Sequence, residues 1–250
     1  MSRVERTSAP GLSFDDVLGL LGAGEIDVLG LLPYSSNYVF LARVTNEGQS
    51  ALAVYKPRRG ERPLWDFPAG TLAAREVAAF LVARAGGWSF VPPTIMRLDA
   101  PLGSGSLQLF VEHDPERHFF VLANEPERHG ELARLAAFDI AINNADRKGG
   151  HVLEDANGGL WAVDHGLSFN LEPKLRTVIW GFAGEPIPEV ARSQLERARD
   201  ELSKAPLRDE LIELLSAEEV DETIARIEVF LKEGIYPHPQ GPRAMPWPLV

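Results

Sequence analysis

Cysteine is missing altogether from this chain. That excludes a disulfide framework and thiolate metal sites, and it fits a reducing compartment without demanding one. Long apolar runs are missing too. The opening residues, MSRVERTSAPGLSFDD, hold no apolar signal region, and no later stretch has the length and apolarity of a membrane span. A soluble, cytoplasmic protein without a transmembrane segment is expected. Positive charge is scarce: 25 Lys and Arg stand against 36 Asp and Glu, a net charge of −11. Polyanion-binding domains show the opposite balance, so nucleic acid is not an expected partner, and docking on an anionic membrane is disfavoured. There is no internal repeat, no low-complexity segment and no GxGxxG loop.

What is present suffices for a sizeable core, since 250 residues at 45% hydrophobic content allow one large domain or two lobes. Residues 13–21 read as a short helix opened by a Ser13-x-x-Asp16 variant of the capping box. Residues 38–44 and 51–55 read as strands joined by the Thr45-Asn46-Glu47-Gly48 turn. An Ala-rich helix is expected over 71–85, closed by Gly86-Gly87. Strands follow at 91–98, confined to an edge by Pro92-Pro93, and at 107–112.

The second half changes character. It opens with a helix at 131–143. A hairpin pairs 151–154 with 160–163 through the Asn157-Gly158-Gly159 turn. Amphipathic helices follow at 189–204 and 218–233, the last stopping at Gly234. Residues 237–250 carry five prolines and form either a disordered tail or an extended strap held by Trp247. A sheet-rich first half before a helix-rich second half predicts an α+β, two-lobed architecture. Its parts would be an extension at 1–24, an N-lobe at 25–113, a C-lobe at 114–236 and the tail, with the lobes meeting near His113-Asp114-Pro115.

Several residues in this frame can carry chemistry. Lys56 ends a strand and precedes Pro57. A lysine there can bridge the α and β phosphates of ATP if a carboxylate orients its ammonium, and Glu76 on the next helix is the obvious partner. Taken alone, Lys56 also fits a solvated strand-edge charge. Ser35, Ser36 and Asn37 are turn formers whose backbone N–H groups can cradle phosphate, although Ser-Ser-Asn is also an ordinary turn. The basic pairs Arg58-Arg59 and Arg147-Lys148 could serve phosphate or stay solvated.

Two acidic centres stand apart. Asp146 lies on a loop between an apolar helix and a strand. Asp164 ends an apolar strand, where a carboxylate needs a partner, either a metal ion or a salt bridge. Gly166 permits a sharp turn after it. The hairpin between the two folds them towards each other. One can then orient a nucleophile while the other holds a metal on a phosphate.

Ser35-Ser36-x-Tyr38, Val54-Tyr55-Lys56-Pro57, Val91-Pro92-Pro93-Thr94, Asn144-x-Asp146-Arg147 and Val163-Asp164-His165-Gly166-Leu167-Ser168-Phe169 follow one another in a telling order. That order, over residues 33–169, resembles the phosphatidylinositol 3-/4-kinase superfamily and is most similar to its type II phosphatidylinositol 4-kinase branch and bacterial relatives. The resemblance implies a kinase-like fold with ATP in the cleft between the lobes. It makes Lys56 the phosphate lysine, Glu76 its helix partner, and Ser35, Ser36 and Asn37 the nucleotide loop. Asp146 becomes the catalytic aspartate and Asp164 the metal aspartate, while Leu109, Phe110, Val111 and Glu112 become the hinge whose backbone meets adenine.

One position departs from the family pattern. Where relatives carry a metal-binding Asn, this chain has His151. Mg²⁺ prefers oxygen ligands, whereas imidazole suits softer ions such as Mn²⁺. Altered metal preference, a one-metal site or a weakened kinase follow as alternatives. If His151 is a ligand, metal-dependent activity is expected to fall below about pH 6.5. His165 is assigned no role. Lys174 and Arg176 are the basic residues that follow Asp164. The apolar Val178-Ile179-Trp180-Gly181-Phe182 run reads as core-packed rather than membrane-facing. The leading expectation is an ATP- and Mg²⁺- or Mn²⁺-dependent kinase acting on an unidentified hydroxyl of a lipid, protein or small molecule. The alternatives are a nucleotide-binding pseudokinase and an AMP transferase.

Overall fold

A computed structural model describes residues 12–33, 37–241 and 243–250. The chain opens with helix α1 (Phe14–Ala23), where the Ser13 side chain accepts from the Asp16 amide and the Asp16 carboxylate accepts from the Ser13 amide. That reciprocal cap is the one the sequence predicts. Val17, Leu20 and Leu21 of this helix are buried under the first sheet.

Five antiparallel strands build that sheet: β1 (Glu25–Leu31), β2 (Phe40–Asn46), β3 (Gln49–Pro57), β4 (Thr94–Arg97) and β5 (Gly105–Leu109), in the order β1-β2-β3-β5-β4. Glu47 and Gly48, both at positive φ, make the tight β2–β3 connection. Strand β1 is not evident in the sequence, because Ile26 is its only buried residue and no alternation marks it. In β3 the alternation is clean. Ala51, Ala53, Tyr55 and Pro57 are buried, so Lys56 points to the opposite face and stays half-buried.

Helix α2 (Leu72–Gly86) crosses between this sheet and the helical lobe, and most of its residues are buried. Gly87 closes it in the left-handed conformation. Its first turn is capped from outside. The Glu61 carboxylate accepts from the amides of Leu72 and Ala73 at 3.1 and 2.9 Å.

The residues expected to divide the lobes, His113-Asp114-Pro115, begin strand β6 (His113–His118). Short helix α3 (Phe119–Leu122) and helix α4 (His129–Ala141) follow. Strands β7 (Val152–Asp155) and β8 (Leu160–Ala162) form the expected hairpin and pair on in the order β6-β7-β8. Its turn is held by the Asp155 carboxylate, which accepts from Asn157 N, Gly159 N and Trp161 Nε1. Helices α5 (Glu189–Leu202), α6 (Leu207–Leu214) and α7 (Ala217–Glu233) complete the helical lobe, and their apolar faces share one core with α2 and α4. Val178, Ile179 and Phe182 lie in that core, as their sequence suggests.

The result is a mixed α/β molecule with an antiparallel-sheet N-lobe and a helical C-lobe. No helix among the described residues is long and apolar enough to cross a membrane. The final residues follow a bent path against the C-lobe. Trp247 does not hold them there, being 87% exposed; buried Ala244 and the carbonyl of Leu249 do.

Candidate functional site

The face alternation of β3 delivers Lys56 to the space between sheet and C-lobe, and α2 delivers Glu76 to the same point. Lys56 Nζ pairs with Glu76 Oε1 and stands 2.9 Å from Asp164 Oδ1. Glu76 is held from its other oxygen by the backbone amide of His165 at 3.0 Å. One carboxylate thus ties the strand lysine to the segment that carries Asp164. Burial pushes the Lys56 ammonium down, but the Asp164 and Glu76 carboxylates outweigh it and hold the group above its ordinary value. Half of the Asp164 side chain remains exposed; what burial it has pushes the pKa upward, and Lys56 and His151 outweigh it, so the carboxyl stays well below its usual range. Glu76 moves the other way, raised by burial with Lys56 opposing.

The hairpin then explains where His151 goes. The Val163 amide donates to the His151 carbonyl at 3.0 Å, so the residues flanking the hairpin are cross-strand neighbours. His151 Nε2 lies 3.3 Å from Asp164 Oδ2. Burial pushes this imidazole down to about 4, with Asp164 opposing. The ring is therefore neutral at pH 7, the form that a metal ligand requires. Asp164 itself adopts φ of +60°, while Gly166 has no positive φ. The sharp turn anticipated at the glycine is made by the aspartate, a sparsely populated conformation of the kind that gathers at functional sites.

Asp146 sits on the loop after α4. Its amide is fixed by Asn144 Oδ1 at 3.0 Å, and its carboxylate lies 3.1 Å from Lys148 Nζ. Burial raises its pKa, with Lys148 opposing. The two halves of the Arg147-Lys148 pair have separate fates. Lys148 faces Asp146, whereas Arg147 is fully buried and reaches Asp139 through two bonds of 2.8 and 2.9 Å. Arg147 also donates to the Val163 carbonyl at 2.7 Å. One guanidinium therefore fixes the loop of Asp146 against the strand end of Asp164. Asp139 within an apolar helix was the signal for this pair, because a charge there needs a buried partner.

Asn37 does not reach this group. Its side-chain oxygen accepts from the Arg62 amide at 3.0 Å. Ser35 and Ser36 lie outside the described residues. Leu109 is buried at the end of β5, and the Phe110 amide donates to the Leu52 carbonyl at 2.9 Å. Val111 packs with Leu153 and Trp161, and Glu112 is exposed. His165 is fully buried against Phe138, and neither ring nitrogen meets a hydrogen-bonding group.

No group of three or more His, Cys, Asp or Glu side chains arranged to hold a metal occurs among the described residues. Asp164 and His151 form only a pair. One carboxylate and one imidazole, completed by phosphate oxygens and water, suit a softer ion such as Mn²⁺ better than Mg²⁺, which prefers oxygen ligands throughout.

Comparison with known proteins gives the following. No protein-family model matches the chain. Protein Rv2133c of Mycobacterium tuberculosis is 39% identical over 267 residues, covering 94% of this chain and 95% of that protein. Among solved structures, the Helicobacter pylori proinflammatory kinase CtkA aligns with 86% of this chain and 94% of its own, at TM-score 0.51 and 11% identity. The Golgi casein kinase aligns with 90% of this chain and 80% of its own, at TM-score 0.46 and 15% identity. The likeness to CtkA is one of fold, and the fold is kinase-like.

Proposed function

This chain belongs to the family of Protein Rv2133c of Mycobacterium tuberculosis, and we propose that it is an ATP- and divalent-metal-dependent kinase transferring the γ-phosphoryl group to a hydroxyl acceptor. The observation that carries this reading is the meeting of Lys56, Glu76 and Asp164. Three separate elements contribute one cation and two carboxylates to a single point, and Arg147 ties the loop of Asp146 to the strand end that carries Asp164. The motif order supports a phosphatidylinositol 3-/4-kinase-like type within that class.

Lys56, oriented by Glu76, holds the α and β phosphates. Asp164, with His151, holds the metal, which when bound neutralises charge on the phosphate oxygens. Asp146 orients the acceptor hydroxyl and takes up its proton, a task suited to a carboxyl whose pKa burial has raised. The Lys148 ammonium, 3.1 Å from that carboxylate, stabilises charge on the phosphoryl group in flight. We place adenine at the backbone of residues 109–112, and assign the phosphate-cradling role to Ser35 and Ser36, with Asn37 bound instead by the Arg62 amide.

His151 favours a second reading. Its ring already occupies one oxygen of Asp164, an arrangement that also suits a protein retaining nucleotide without turnover. Product analysis tests both. Wild type incubated with ATP should release ADP, and Asp146→Asn should lose at least a hundredfold in rate while still binding ATP. Pyrophosphate as product would replace the kinase by an AMP transferase. Nucleotide binding with neither product would leave the pseudokinase.

A further inference from the structure

The last residues of the chain lie on the loop that carries Asp146. The Gly149 amide donates to the Leu249 carbonyl at 2.7 Å, and Gly149 is the residue after Lys148. A Cβ on Gly150 would lie 3.6 Å from Val250 Cγ1. On the adjoining segment, the Ala244 carbonyl accepts from the Thr177 amide at 3.1 Å and from Trp180 Nε1 at 3.0 Å.

Residues 176–178 are themselves laid against the Asp146 loop. The Arg147 amide donates to the Arg176 carbonyl and the Val178 amide to the Arg147 carbonyl. One edge of 176–178 is therefore taken by that loop and the other by the tail. Backbone donors that would otherwise receive an incoming chain beside Asp146 are satisfied by carbonyls 244 and 249. The seat is shallow. Ala244 and Pro246 are buried, but Met245, Trp247 and Val250 are 53%, 87% and 58% exposed. Leu249 packs at the margin of the C-lobe core, but the large apolar side chains left in water mark a segment held by little beyond that contact and a few main-chain bonds.

We propose that residues 244–250 are a displaceable cover over the acceptor side of the Asp146 loop, and that the cover must lift for turnover. That this loop is the acceptor site rests on the kinase reading; that the cover lifts does not.

A reversible lock tests it. The chain has no cysteine, so a Gly150→Cys, Val250→Cys protein contains a single possible disulfide, between positions where the residue 250 side chain already reaches 3.6 Å from a Cβ at 150. Hydrogen exchange and ADP release are then compared in the oxidised and reduced states of the same protein. In wild type and in the reduced variant, the amides of Gly149 and Thr177 should exchange at least about 100-fold faster than the buried amides of α4, the signature of local opening. Oxidation should slow both amides to the α4 rate and lower ADP release at least about tenfold, with dithiothreitol restoring both. Amides as slow as those of α4 before oxidation would overturn the proposal, as would fully oxidised protein that turns over at the reduced rate. If no form releases ADP, the kinase reading fails and the exchange rates alone decide the cover.

Discussion

Replacing Arg147 by Met should unsettle the protein more than any change among the exposed charges around it. Arg147 is fully buried and makes two bonds to Asp139, which is equally buried, and one to the Val163 carbonyl. After the substitution Asp139 keeps only the Asn144 side-chain donor at 3.0 Å. Breaking a buried pair from one side leaves an uncompensated charge, which costs about 3–5 kcal/mol. Against a typical total of roughly 5–15 kcal/mol that is a large fraction. At about 2–4 °C per kcal/mol for a chain of this size, the melting temperature should drop by roughly 6–20 °C. The double variant Arg147→Met, Asp139→Leu removes both charges and should recover at least about 2 kcal/mol of the loss, because its two changes are coupled. Urea denaturation of the four proteins closes the cycle. A single-variant loss under about 1 kcal/mol, or strictly additive effects, would refute the idea that this pair ties the two acidic centres together.

Two further outcomes follow from the same geometry. His151 binds its proton at about 4 in the folded chain against 6.5 when unfolded, so the unfolded state gains protons first as pH falls. Stability should therefore decline between about pH 6.5 and 4 by up to about 3 kcal/mol, and His151→Asn should remove that share of the decline in urea titrations at pH 7, 5 and 4. If His151 is a metal ligand, the same shift puts the acid limb of metal-dependent activity nearer pH 4 than pH 6.5. Glu76→Gln weakens the ion pair that aims Lys56 and should lower ATP affinity roughly ten- to hundredfold by calorimetry. Unchanged affinity would mean that Glu76 serves only the His165 amide.

Much of this molecule is legible from local chemistry. The Ser13 cap, the α2 segment ending in glycine and the hairpin turned at Asn157-Gly158-Gly159 declare themselves through residue type and spacing. Strand β1 does not, because an edge strand with one buried side chain carries no periodic signal. At the site, Lys56, Glu76, Asp146, His151 and Asp164 can each be picked out singly, but their mutual contacts depend on long-range pairing that no window of sequence contains. The fate of Arg147 is a case in point. Beside Lys148 it looks like half of a solvated basic pair, and only the packing of α4 against the hairpin shows that one is buried and the other faces Asp146. The tail is another. Its prolines exclude a helix, but its seat on Gly149 and Thr177 is a tertiary fact.

The most direct test of the whole account is calorimetric titration of ATP into wild type and Asp164→Asn, each with Mg²⁺ and with Mn²⁺. The account predicts metal-dependent binding to wild type that is lost or weakened at least about tenfold in the variant. Absence of binding to wild type with either metal, or equal affinity in the variant, would contradict it.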